Sequence, residues 1–258
     1  MGLEQHITWE ASVDTRDRTC WPPFCVLLGE GIVVWRPVFT RERLDGTAVD
    51  IEFLLIAVIQ GFALATLAVD AEPILTGEQA IYWPYLLAAF VLILNFWALA
   101  IMHSISFISW PFDLVHTLLY FLVGFVEVAS FSQITHPAGW FAFMLVFFAV
   151  SGVLYVWDLR MIRARRDGYQ GDARRRALYA HIESWQLGEV RLLLPAAVVF
   201  EAVIVAVIVW NPASILEGDR HLLVIGAQNV FGLAYLAMIL RGFARRRALI
   251  DACVEATA

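Results

Sequence analysis

Lysine is absent from this chain, and all 18 of its basic residues are arginine. A protein-bound Schiff base requires a lysine amine, so retinal-type pigments and lysine-dependent enzymes are excluded. Arginine in place of lysine is also typical of GC-rich genomes, which indicates a bacterial source. Nucleic-acid binding is not expected, because membrane topology accounts for the arginine clusters, as shown below.

Cysteine is scarce too, with three residues in 258. Cys20 and Cys25 bracket Trp-Pro-Pro-Phe, but no second pair of cysteines or histidines follows at a spacing that completes a zinc site. We therefore expect three reduced thiols that bind no metal. Phosphate-binding loops, dinucleotide fingerprints, CxxCH haem motifs and the HExxH and GxSxG motifs of hydrolases are also missing. The sequence requires no cofactor, and it favours a non-enzymatic role.

Long apolar runs are abundant, since 60% of the residues are hydrophobic. A helix needs about 20 apolar residues to cross the hydrocarbon core of a bilayer. The sequence predicts an all-α membrane protein with six transmembrane helices. In chain order they cover residues 51–69, 84–103, 112–131, 138–157, 192–210 and 221–241.

The arginines indicate the orientation of these six helices. Seventeen of them lie before the first helix, between the fourth and fifth helices, or after the sixth, and only Arg220 lies on the other side. The positive-inside rule then predicts that both termini are cytoplasmic. We expect a multi-pass protein of the bacterial inner membrane, in contact with the lipid bilayer.

Three segments follow from this topology. Residues 1–45 form a cytoplasmic or interfacial segment, 46–245 the six-helix domain with a cytoplasmic arginine-rich loop at 159–191, and 246–258 a cytoplasmic tail. Within the loop, apolar residues recur at near-helical spacing from 173 to 191. That pattern predicts an amphipathic helix on the inner leaflet.

The third predicted helix carries a polar stripe. At about 100° per residue, Asp113, His116, Tyr120 and Glu127 fall within an arc of roughly 60°. A charged group in hydrocarbon costs at least ~2.5–3.5 kcal/mol. Glu127 is therefore expected to face protein, water or an ion.

Other polar side chains lie near the middle of the predicted membrane. These are Gln60, Asn95, Glu201, Gln228 and Asn229. No arginine is available at that depth to pair with either glutamate. Each glutamate must be protonated, hydrogen-bonded to an amide, hydrated, or neutralised by a bound cation. The simplest alternative is a protonated glutamate that joins two helices through a hydrogen bond.

A second cluster lies at the cytoplasmic ends of the second, third and fourth helices. It comprises His103, Asp113, His116 and Asp158. Histidine and aspartate at similar depth could ligate one metal ion, with Asp113 and His116 one helical turn apart. The other interpretation is that these groups cap helices in the wet headgroup region.

The function best favoured by this pattern is an oligomeric channel or transporter for a small cation or proton. Glu127 and Glu201 would carry the charge, and Gln60, Asn95, Gln228, Asn229 and Tyr120 would surround the ion. We expect the assembly to be a homo-oligomer. Two alternatives stay open. One is a non-catalytic membrane subunit that acts through a protein partner on the cytoplasmic side. The other is a membrane-embedded metal-dependent hydrolase at the His103/Asp158 end.

Overall fold

The computed structural model describes residues 26–28, 31–33, 41–106, 113–168 and 171–254. The chain divides into two compact units, Met1–Arg41 and Glu42–Ala258. In the first unit, strands β1 (Val26–Leu28) and β2 (Gly31–Val33) form an antiparallel hairpin with Val26 opposite Val33. Cys20, Cys25 and most of segment 1–45 lie outside the described residues.

The second unit is helical. Its helices are α1 (Arg41–Leu75), α2 (Trp83–Ser106), α3 (Leu114–Phe131), α4 (Pro137–Gly168), α5 (Ala173–Gly188), α6 (Leu194–Trp210), the short α7 (Ala213–Leu216) and α8 (His221–Val254). A single π-turn, Glu189–Leu193, joins α5 to α6, so that the helix is continuous from Ala173 to Trp210.

Six helical segments of the described chain are long and apolar enough to cross a membrane, which confirms the predicted number. They are Phe53–Leu75, Ala80–His103, Leu114–Phe131, Pro137–Gly168, Ala173–Trp210 and His221–Asp251. Large apolar side chains such as Phe125 and Val209 point outward from them. Because the outside of a helical bundle in a bilayer meets lipid tails, this pattern is that of a multi-pass membrane protein.

Several helices are longer than a bilayer core requires. At 1.5 Å per residue, the 34 residues of α8 extend about 50 Å, against a hydrocarbon core of about 30 Å. The excess of α4 and α8 packs against α5, where Leu178, Ile182 and Cys253 are buried together. We call the region formed by α5 and the C-terminal parts of α4 and α8 the arginine-rich end.

Two segments that the sequence analysis described as a loop, 159–191, and a tail, 246–258, are largely helical where the structure describes them. Residues 159–191 comprise the end of α4, all of α5 and the start of the π-turn, and only a short connection precedes α5. The predicted amphipathic helix is present as α5, but its apolar residues pack against α4 and α8. Residues 246–254 continue α8. Apolar side chains in this part of α8 pack against α5. An isolated tail would lack this contact, and most helical stability in proteins comes from such packing.

The membrane part is held by close helix pairs, of which α2–α8, α3–α4 and α4–α6 are the largest. Tyr85, Phe131, Trp140 and Phe141 are fully buried at its centre. Gly232 of α8 permits the approach of α2, because a Cβ at this position would lie 2.8 Å from Cγ1 of Val91. Small residues at such crossings let two helix backbones come close together.

Candidate functional site

A cavity of about 420 Å³ lies between α2, α4, α6 and α8. Most of its wall is apolar and includes the rings of Phe96, Trp140, Phe147, Phe148, Phe200 and Phe231. Its polar wall residues are Asn95, Ser151, Tyr155, Glu189, Glu201, Gln228, Asn229 and Tyr235. A concave, mostly apolar space with a few polar groups is the usual form of a ligand site.

Glu201 is the central acidic group of this cavity. It lies on α6, and only 1% of the residue is exposed. Gln228 of α8 donates from Nε2 to Oε1 of Glu201. The carbonyl oxygen of Gln228 in turn accepts a hydrogen bond of 3.1 Å from Nε1 of Trp140 on α4. This chain of donors fixes the Gln228 amide and leaves Oε2 of Glu201 without a hydrogen-bond partner among the described residues.

A second acidic group, Glu189, lies at the start of the π-turn. Its Oε1 accepts hydrogen bonds from Nε1 of Trp185 at 2.7 Å and from the hydroxyl of Tyr235 at 2.8 Å. The Tyr235 hydroxyl is also 3.4 Å from that of Tyr155. Arg246 interacts electrostatically with Glu189 and is itself completely buried, with its guanidinium 5.1 Å from the centre of the Trp185 ring. Among the described residues, Glu189 therefore has a cationic neighbour, whereas Glu201 has none.

The π-turn explains how one helix presents both glutamates to one cavity. Twelve positions separate Glu189 from Glu201, and in a regular α-helix that spacing would place them about 120° apart. A π-turn takes up one extra residue, so the separation falls to about 20°. Single π-turns inside α-helices are frequent at functional sites.

The sequence did not single out Glu189, because it falls in the arginine-rich segment that was predicted to be cytoplasmic. Two signals point to it. Trp185 and Glu189 are four residues apart, the spacing of neighbours on a helix surface. The apolar run of α6 also begins directly after Arg191, which places Glu189 within one turn of the membrane-spanning stretch.

The two asparagines predicted near mid-depth line the cavity and also tie α2 to α8. Nδ2 of Asn95 donates to the carbonyl oxygens of Val91, at 2.9 Å, and of Gly232, at 3.0 Å. Nδ2 of Asn229 donates to the carbonyl of Pro84 at 2.8 Å. Within the described part of the chain, the Oδ1 atom of each asparagine has no hydrogen-bond partner.

Glu127 lies elsewhere. Its Oε2 accepts a hydrogen bond of 3.2 Å from Nε2 of Gln60, which joins α3 to α1, and the residue is fully buried. Tyr120 stacks on Phe96 with ring centres 5.0 Å apart. None of Gln60, Tyr120 and Glu127 is a wall residue of the cavity. The structure thus divides the predicted ion site into a cavity group on α2, α6 and α8 and a separate pair between α1 and α3.

The four residues of the predicted metal site make contacts within and between helices. Asp113 caps α3, since its Oδ1 accepts a hydrogen bond of 3.0 Å from the backbone N–H of His116. Nε2 of His116 lies 3.2 Å from Oδ1 of Asp158, which joins α3 to α4. His103 packs edge-on against Tyr155, with ring centres 6.4 Å apart. Among the described residues, no group of three or more histidine, cysteine, aspartate or glutamate side chains is arranged to hold a metal ion.

Comparison with protein-family models, with curated proteins and with solved structures found no match to this chain. The fold and the site therefore define its class by themselves. The protein is a multi-pass helical membrane protein with a mostly apolar cavity that contains buried carboxyl groups.

Proposed function

We propose that the protein is a membrane carrier that binds a cation at Glu201 and exchanges it for a proton. The observation that carries the proposal is the environment of Glu201. Its carboxyl is almost completely buried in an apolar cavity, and one of its oxygens accepts a hydrogen bond from Gln228. The other oxygen has no hydrogen-bond partner among the described residues.

The physical chemistry of such a carboxyl supports exchange. An unpaired carboxylate in an apolar interior is unfavourable by several kcal/mol, so the empty site favours the protonated form. A cation in the cavity stabilises the carboxylate and releases the proton. Because cation and proton compete for one group, binding of either one favours release of the other. Ionisable groups inside membrane proteins commonly mark such pathways.

Glu127 is assigned a structural role in this proposal. Its hydrogen bond to Gln60 joins two helices, and both residues lie outside the cavity wall. The chain thus offers a matched pair of buried glutamates, each bonded to a glutamine, of which only Glu201 lines the cavity.

The arginine-rich end is assigned to the cytoplasm of a bacterial inner membrane by the positive-inside rule. In this orientation Glu189 and Tyr235 line the cytoplasmic end of the cavity, Arg246 interacts with Glu189, and Glu201 lies deeper in the membrane. The homo-oligomer and the cytoplasmic protein partner considered from the sequence stay predictions.

Proton exchange in liposomes tests the proposal. Purified protein is reconstituted with a pH-sensitive dye inside the vesicles, and Na⁺, K⁺ or benzyltrimethylammonium, an organic cation with an apolar body, is added outside as its chloride. We expect a change in internal pH with at least one cation for the wild type and for Glu127→Gln, and none for Glu201→Gln. If no cation moves protons in the wild type, or if Glu201→Gln retains the full rate, the proposal is wrong.

A further inference from the structure

We infer that the cation bound at Glu201 is a monovalent organic cation with an apolar body, such as a lipophilic quaternary ammonium or phosphonium ion. The inference rests on the proposed function and specifies its substrate class. Three features of the cavity carry it: its size, the separation of its two carboxyl groups, and its charge.

The size and wall of the cavity suit an organic molecule. A volume of about 420 Å³ lies within the range of roughly 300–1,000 Å³ for pockets that hold drug-sized ligands. A bare metal ion would leave most of that space empty. The wall consists mainly of aliphatic and aromatic side chains, which would favour an apolar body over a hydrated ion.

The two carboxyl groups of the cavity are too far apart to bind one metal ion together. Glu189 and Glu201 are about 18 Å apart along the helix, at 1.5 Å per residue. Near Glu201 itself, Gln228 directs its amide nitrogen to the carboxyl and uses its oxygen to accept from Trp140. Ca²⁺ requires six to eight oxygens at about 2.3–2.6 Å. Glu201 supplies one negative charge, and among the described residues no group of three or more histidine, cysteine, aspartate or glutamate side chains is arranged to hold a metal ion there.

The charge distribution points to a single positive charge on the ligand. Glu189 lies beside Arg246 and accepts hydrogen bonds from Trp185 and Tyr235. Glu201 has no cationic neighbour in the described part of the chain. One uncompensated carboxylate is therefore left in the cavity once the proton departs, and a monovalent cation neutralises it.

The aromatic rings strengthen this assignment. Trp140 donates to Gln228, the partner of Glu201, and Phe200 precedes Glu201 directly in the chain. Both rings line the cavity. The negative face of an aromatic ring attracts organic cations, and recognition of quaternary ammonium groups by aromatic side chains is a common use of this interaction.

Binding of tetraphenylphosphonium and tetraphenylborate, two ions of nearly equal size and opposite charge, tests the inference. Calorimetric titration of detergent-solubilised protein against matched empty micelles separates binding from partitioning. We expect tetraphenylphosphonium to bind to the wild type and to Glu127→Gln. Glu201→Gln should bind it at least about thirtyfold more weakly, since a buried charge pair loses its partner. Tetraphenylborate should not bind specifically to any of the three proteins.

Equal binding of the two ions to the wild type would overturn the inference, because the site would then recognise only shape and apolarity. Undiminished binding of tetraphenylphosphonium by a monodisperse Glu201→Gln protein would overturn it as well. The outcome is separable from that of the liposome assay. Proton exchange with inorganic cations but no phosphonium binding would refute only the substrate class, whereas phosphonium binding without exchange would refute only the carrier.

Discussion

Glu189 and Glu201 occur on one continuous helix, and the π-turn between them directs both side chains to the same cavity. If the same residues formed a regular α-helix without the π-turn, the two carboxyl groups would lie about 120° apart around the helix. The cavity therefore extends from Glu189, at the arginine-rich end, to Glu201 in the membrane-spanning part of α6. The π-turn also makes the site sensitive to the number of residues between the two glutamates.

Changing that number by one residue in each direction gives the first prediction. Leu192 lies in the π-turn and is 69% exposed. Deletion of Leu192 removes the extra residue, so that a regular α-helix retains the alignment of the two glutamates. Insertion of an alanine after Leu192 turns one glutamate by about 100° relative to the other. We expect exchange activity in liposomes to survive the deletion and to be lost on insertion. The reverse ranking would contradict the role of the π-turn.

The hydrogen bond between Gln60 and Glu127 gives the second prediction. Gln60→Leu leaves a buried carboxyl without its partner, and hydrogen bonds between membrane helices contribute about 0.6–1.7 kcal/mol. We expect the free energy of unfolding, measured by SDS titration in mixed micelles, to fall by this amount. The double variant Gln60→Leu/Glu127→Leu should recover most of the loss, because both polar groups are then absent. A double variant that is less stable than Gln60→Leu would show that Glu127 has a further essential partner.

The third prediction concerns the close approach of α2 and α8. An added Cβ at Gly232 would lie 2.8 Å from Val91, whereas Gly226 on the same helix has open space around it. Gly232→Ala should lower the free energy of unfolding by about 1–3 kcal/mol, as overpacked sites do. Gly226→Ala should keep or slightly raise it, since alanine favours a helix by up to about 1 kcal/mol. Equal effects of the two substitutions would show that α2 and α8 are not in close contact at Gly232.

The fourth prediction tests the packing of α5 against α8 at the arginine-rich end. Cys253 is 3% exposed, and burial raises the pKa of its thiol. A raised pKa leaves less thiolate at neutral pH, so maleimide should label Cys253 slowly and faster as the pH rises. The measurement uses a Cys20→Ser/Cys25→Ser background.

In that background, loosening of α5 should expose the thiol. Ile182 is buried in the same cluster as Cys253, whereas Ser184 on the same helix is exposed. We expect Ile182→Ala to accelerate labelling severalfold, since local opening becomes easier, and Ser184→Ala to leave the rate unchanged. Fast labelling of the background protein itself would mean that α5 does not cover Cys253.

Hydropathy alone predicted the number of membrane-spanning helices, because each span must be apolar over about 20 residues whatever its neighbours are. It underestimated their lengths. The run of α8 was predicted to end near 241, where arginines begin, but the helix continues to Val254. Cys253 is buried against α5, and Leu249 and Ile250 are partly buried there. That contact depends on a partner distant in sequence.

For the polar residues of the bundle, too, the sequence predicted one property, their depth in the membrane, and missed another, their neighbours. Depth along a helix follows from residue number, so the sequence placed Asn95, Glu201, Gln228 and Asn229 near one level. All four line the cavity. Which helices are neighbours does not follow from depth, and Glu127 at a similar level pairs with Gln60 outside the cavity.

By itself, the sequence determined that the chain is a six-span helical membrane protein with costly carboxyl groups inside it. The free energy gained by burying apolar surface and the free energy lost by placing an unpaired charge in the membrane both follow from residue type and position in the chain. Only the tertiary structure decided that Glu201 shares a cavity with Glu189 and that Glu127 does not. The reason is geometric: a π-turn and the choice of neighbouring helices set the direction of each side chain, and neither one leaves a hydropathy signal.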